Sequence, residues 1–214
     1  MGCHLDRYGL SYFPVPKCAC SSLKAFFFEL ENGRPFQNYR ANGKVIHIHH
    51  VYRTLPFETT RHRAGANDWK IAVVRDPVAR LLSCYSNRVL HHRELDGIDL
   101  SIRDRIAGLV RRPDIGTFVD LLPRYRELSP SMHHHSAPHV EFLGLDPAYF
   151  DRVYRIDQLD TLVADVAGRV GTAPALQRLQ MGGPKLKEDE LSRRQIGFLK
   201  DFYKDDYEAF GAYF

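Results

Sequence analysis

"WKIAVVRDPVARLLSCYSNRV", Trp69 to Val89, decides the fold. Trp69 to Val74 is a short apolar run rich in β-branched residues and bounded by turn formers, the signature of a buried strand. Pro77 then suits the first turn of a helix, and Val78, Leu81, Leu82, Tyr85 and Val89 fall on one helical stripe. Arg75 therefore leaves the strand at its carboxyl end, where open α/β sheets bind ligands.

The same order occurs upstream. "LSYFPV", Leu10 to Val15, reads as a strand, and a helix follows with Leu23, Phe26, Phe27 and Leu30 on its apolar face. Ser21 or Ser22 is its expected N-cap, and Gly33 lies beyond its end. "KVIHIH", Lys44 to His49, and "RVYRI", Arg152 to Ile156, are expected as further buried strands. Asp157 is expected to cap a helix running to about Arg169, and Ser192 to Tyr207 reads as a last helix. Strand, loop and helix in alternation imply an α/β protein, a single domain with a central parallel β-sheet flanked by helices. Residues 93–138 form a weaker, charged helical pattern, expected as an insertion shaping one side of a site.

The chain has 214 residues, 44% of them hydrophobic, enough for one sizeable core. Its net charge of +4 suits an anionic ligand but falls short of a nucleic-acid-binding tail. Cys3, Cys18, Cys20 and Cys84, without a signal-peptide pattern, read as reduced thiols of a cytoplasmic protein. No apolar run approaches the roughly 20 residues that cross a bilayer, so no membrane segment is expected.

The loop "PKCACSS", Pro16 to Ser22, carries the chemistry. A strand-to-helix turn leaves backbone N–H groups unpaired and aims the positive end of the helix dipole at the loop, which makes an anion cradle. Cys18, Ala19, Cys20, Ser21 and Ser22 let a phosphate or sulfate approach closely, and Lys17 brings a mobile charge. A capped helix with an exposed lysine is the bland alternative. The Gly-x4-Gly-Lys-Ser/Thr pattern of nucleotide triphosphatases is absent. Arg75 can fork onto a second phosphate, and Ser83, off the apolar stripe of its helix, can add a hydroxyl.

These motifs resemble the PAPS-dependent sulfotransferase superfamily, above all the Golgi-type (family 2) carbohydrate sulfotransferases. PAPS is 3′-phosphoadenosine 5′-phosphosulfate, and PAP is the bisphosphate product. "PKCACSSLK" looks like the family's 5′-phosphosulfate loop, "RDPVARLLSCY" like its 3′-phosphate motif, "VYRIDQL" like its Y-R-x-E-x-L segment, and "LKDFYKDDYEAFGAYF" like its C-terminal ending. "HSAPH", His135 to His139, departs from the His-Trp-x-Pro-Gln of many relatives.

The resemblance implies a P-loop-kinase-like sulfotransferase fold and sulfuryl transfer from PAPS to a hydroxyl-bearing acceptor, with carbohydrate as the expected class and no metal required. It implies that Lys17 meets the bridging oxygen, that Lys17 to Ser22 hold the 5′-phosphate, and that Arg75 and Ser83 hold the 3′-phosphate. The base is expected among the histidines of "HIHHVY". By a similar segment of heparan 2-O-sulfotransferases, His50 is favoured and His49 is second, with His47 structural. "GGPKLKEDELS", Gly182 to Ser192, is expected to fold over the nucleotide. The alternatives are an anion-binding module without transfer activity and a small-molecule kinase, which would need magnesium and a carboxylate to hold it. Structural zinc is disfavoured, because Cys18-x-Cys20 lacks the usual spacer and has no second pair.

Overall fold

A computed structural model of the chain describes residues 2–179 and 182–214. It divides into two compact units, one over residues 1–75, 139–180 and 209–214, the other over 76–138 and 181–208.

The first unit holds the sheet, β1 (Cys3–Leu5), β2 (Leu10–Phe13), β5 (Trp69–Val74) and β6 (Arg152–Arg155), in the order β1-β2-β5-β6. β2, β5 and β6 run parallel, with Phe13 opposite Ala72 and Ala72 opposite Val153. β1 is antiparallel to β2 and forms an edge not anticipated from the sequence. Its hairpin turns through Asp6–Tyr8 and closes at Gly9, whose φ of 54° suits a residue without a Cβ. The class is α/β, as expected, with a mixed sheet. β5 is central, and Ile71 to Val74 are fully buried, which is why its sequence is continuously apolar.

Helix α1 (Cys20–Asn32) packs on β1 through an apolar face that buries Leu23, Phe26 and Phe27, and the Phe27 ring lies 5.2 Å from Tyr12. Gly33 ends it, donating its N–H to Glu29. The N-cap is Ala19, not Ser21 or Ser22, because the turn at Ala19, with its positive φ, starts the helix two or three residues earlier than expected.

Lys44 to His49 is not a buried strand. Only Lys44–Ile46 is extended (β4), paired with β3 (Tyr39–Ala41) in a separate exposed hairpin. The chain turns at His47 into α2 (Ile48–Val51), a single helical turn that buries Ile48 against α1's side of the unit. Asp157 does not cap the helix Leu159–Val170; it lies in a preceding 3-10 turn and pairs with Arg155.

The second unit is helical. Pro77–Cys84, capped by Asp76, runs into a π-helical stretch, Tyr85–His91. Ile115–Asp120, Leu122–Leu128, Pro130–Ser136 and Arg193–Phe202 join it around Phe118, Leu122, Tyr125, Leu199 and Tyr203. The predicted last helix is two, Arg193–Phe202 and Lys204–Phe210, with Ser192 capping the first. No disulfide joins any of the four cysteines. Among the described residues no helix is long and apolar enough to cross a membrane.

Arg80 is fully buried in this unit. Its Nη2 donates to the Ala137 carbonyl at 2.6 Å and lies 4.0 Å from the equally buried Asp206 carboxylate, and its guanidinium sits over the Tyr203 ring. Among the described residues its Nε and Nη1 have no hydrogen-bond partner. Removing one member of such a pair leaves a buried charge, whereas removing both removes the desolvation cost as well. Arg80→Met should therefore cost about 3 kcal/mol in urea unfolding, and Arg80→Met with Asp206→Leu should recover most of the loss.

Candidate functional site

The loop between β2 and α1 is bent by two residues with positive φ, Lys17 at 67° and Ala19 at 55°. Neither is glycine, so the conformation is strained, of the kind that persists where surrounding structure enforces it. Cys18 N–H closes a turn onto the Val15 carbonyl at 3.3 Å, and the first intrahelical bond runs from Leu23 N–H to the Ala19 carbonyl. The N–H groups of Cys20, Ser21 and Ser22 precede that bond and form the open positive end of a helix of 13 residues.

Parallel pairing of β2 with β5 brings the end of β5, and Arg75 beyond it, to the same edge as this loop. His139 fastens the two together. It is fully buried, and its Nε2 lies 3.8 Å from Cys18 Sγ and 3.5 Å from the Arg75 amide, which donates to it. In the sequence His139 stood out as a departure from the glutamine of many relatives. In the structure it is a clamp, and its ring packs on Phe214. Cys18 is buried with its thiol turned to this histidine, which leaves its backbone as the part suited to a phosphate.

Ser21 and Ser22 are both nearly buried. Ser21 Oγ is 2.8 Å from His49 Nε2, and Ser22 Oγ accepts the Leu179 amide at 2.8 Å. His49 therefore lies on the loop helix. His50 is exposed, its Nδ1 accepts the His47 amide at 3.0 Å, and its ring stacks on His47. Lys17 and Arg75 are half-buried in the same unit. Ser83 belongs to the other unit, half-buried on the helix Pro77–Cys84. In that unit Ser86 Oγ donates to the Pro184 carbonyl, which ties down the segment from Gly182 onward.

Lys24 and Thr54 were not singled out by the sequence reading. Lys24 is fully buried, its Nζ 2.6 Å from Thr54 Oγ1 and 3.2 Å from His49 Nδ1. Burial lowers its pKa from the ordinary lysine value, opposed by the thiols of Cys20 and Cys3. The available signal was a lysine one turn before Phe27 and Phe28, at the border of the apolar stripe. Among the described residues no group of three or more His, Cys, Asp or Glu could hold a metal.

Two outcomes follow from this geometry. A β-branched residue resists positive φ more than alanine does, so Ala19→Val should lower stability by about 1–2 kcal/mol in denaturant unfolding and weaken anion binding, whereas Ala19→Gly should spare both. The unfolded chain keeps the Lys24 proton up to about pH 10.5, but the folded chain releases it at lower pH. Stability should therefore rise with pH between the lowered value and 10.5, and Lys24→Met should flatten that rise in unfolding measured across the window.

A family model described as the sulfotransferase family matches residues 4–161. No curated protein and no solved structure matches the chain. The matched span exceeds half of the chain and takes in β2 to β6, the strained loop, Arg75 and Ser83. The chain belongs to the sulfotransferase family and is a PAPS-dependent sulfotransferase.

Proposed function

We propose that this sulfotransferase moves the sulfuryl group of PAPS to a hydroxyl of a carbohydrate, with the whole chain working as one catalytic domain. The observation that carries the site assignment is the 2.8 Å contact between Ser21 Oγ and His49 Nε2, an imidazole against the first turn of α1. The loop's open N–H groups and its serine hydroxyls suit the 5′-phosphate of the donor. Arg75, at the end of β5, takes the 3′-phosphate, the role that the resemblance of its motif gives it.

In the reaction the acceptor oxygen forms a bond to sulfur while the bond between sulfur and the bridging oxygen breaks. The electron pair of that bond passes to the phosphate oxygen. Lys17 offsets the charge growing there, and its loss should cost about 100- to 1,000-fold in rate. A histidine takes the acceptor proton. His50 was favoured by resemblance, but its Nδ1 already accepts the His47 amide, so in the neutral ring Nε2 bears the proton and acts as a donor. His49 is the better base, and His49→Ala should cost about 100- to 10,000-fold. The carbohydrate acceptor rests on the resemblance of the motifs.

The testing experiment is thermal unfolding with PAP, with ATP and magnesium, and with buffer alone. A ligand at 100 times its dissociation constant adds about 2.7 kcal/mol of stability. PAP alone should raise the midpoint, and Arg75→Ala should abolish the rise. A rise only with ATP and magnesium would overturn the donor assignment in favour of a kinase.

A further inference from the structure

The two ring nitrogens of His49 face different partners, Nε2 at 2.8 Å from Ser21 Oγ and Nδ1 at 3.2 Å from Lys24 Nζ. A neutral imidazole has one N–H and one lone pair, so it has two tautomers. If Lys24 is an ammonium, it can only donate to Nδ1; Nε2 then carries the proton and cannot act as a base. An amine has a lone pair as well as N–H groups, so only an uncharged Lys24 can accept Nδ1–H, the arrangement that leaves the Nε2 lone pair facing Ser21.

We propose that Lys24 is a positioning residue: an uncharged amine that accepts the Nδ1–H of His49 and so keeps a lone pair on Nε2, which faces the Ser21 hydroxyl and is open to the acceptor's proton once that hydroxyl turns to the donor phosphate. The inference rests on the reading of His49 as the base.

The surroundings of Lys24 favour the amine. The side chain is fully buried, and neither of the polar groups that its nitrogen meets, Thr54 Oγ1 and His49 Nδ1, is a carboxylate. Isolated ammonium groups are costly to bury without a carboxylate partner. The titratable groups acting on it are Cys20 of its own helix, Cys3 of β1 and His49 of α2. Burial holds the Cys3 thiol well above the ordinary range, so it is uncharged. Glu31, further along α1, bears on Cys3 and accepts the Tyr52 hydroxyl. The lowered pKa of Lys24 agrees with this geometry.

The proton balance is complete within the site. As the acceptor oxygen bonds to sulfur and the bridging oxygen leaves with its electron pair, the acceptor proton passes to Nε2. The resulting imidazolium keeps its Nδ1–H on the Lys24 lone pair. Thr54 Oγ1 accepts one N–H of the amine and fixes the direction of that lone pair.

The test is 15N NMR of histidine-labelled protein at neutral pH, with His49 assigned by comparison with His49→Gln. Wild type should show His49 protonated at Nδ1. Lys24→Arg carries a permanent cation that can only donate, so it should move the proton to Nε2. Lys24→Gln offers a carbonyl that accepts Nδ1–H and should restore the wild-type tautomer. Should Lys24→Arg fail to fold, the wild-type and Lys24→Gln spectra still decide. His49 protonated at Nε2 in the wild type, or an unchanged tautomer in a folded Lys24→Arg protein, overturns the proposal. PAP binding is measured on the same samples by thermal shift and should persist in both variants. Failure of wild type to bind PAP would sink the donor assignment while leaving the tautomer result to stand by itself.

Discussion

The parallel pairing of β2 with β5 is the constraint on which the first unit depends. With Phe13 opposite Ala72, the chain must leave both strands at one edge of the sheet, through a helix start on one side and Arg75 on the other. Two charged or polar exits at one edge cannot be covered by apolar packing, so the edge is finished with polar groups. His139 closes it from a distant part of the chain, between the Cys18 thiol and the Arg75 amide. The strained loop is sustainable because both of its ends are held: Val15 and Cys18 in a turn, Ala19 in the first helical bond.

Legibility in the sequence followed burial. β5 was readable because a strand covered on both faces is continuously apolar, β6 because its buried pair Val153 and Tyr154 is β-branched and aromatic, and α1 because four aromatic or aliphatic positions recur at helical spacing. β1 has three residues, too few for a periodic pattern. Lys44 to His49 misled because Val45, Ile46 and Ile48 are β-branched, yet only Ile48 is buried, and it is buried from a helical turn. Periodicity does not record which apolar residues find a partner.

The site divided in the same way. The loop and Arg75 were legible because their chemistry is written in adjacent residues. Lys24 was not, since a lysine on a helix normally faces water. It is buried by groups 25 and 30 residues further along, His49 and Thr54. Arg80 is the parallel case in the second unit, also a fully buried cationic residue, but with a carboxylate within 4.0 Å. On the proposal made for Lys24, the two are different solutions to one desolvation problem: a counter-charge for guanidinium, which cannot lose its proton, and proton release for an amine, which can.

The bond from the Leu179 amide to Ser22 Oγ leaves the serine's own proton available. A hydroxyl that accepts from one side and donates to an anion on the other is polarised in both directions, and each bond strengthens the other. With the donor phosphate at Ser22, as proposed, the backbone at Leu179 would be its mechanical and electronic neighbour, although 157 residues separate it from Ser22 in sequence. Solvent exchange at that single amide becomes a reporter of donor occupancy, readable without any acceptor.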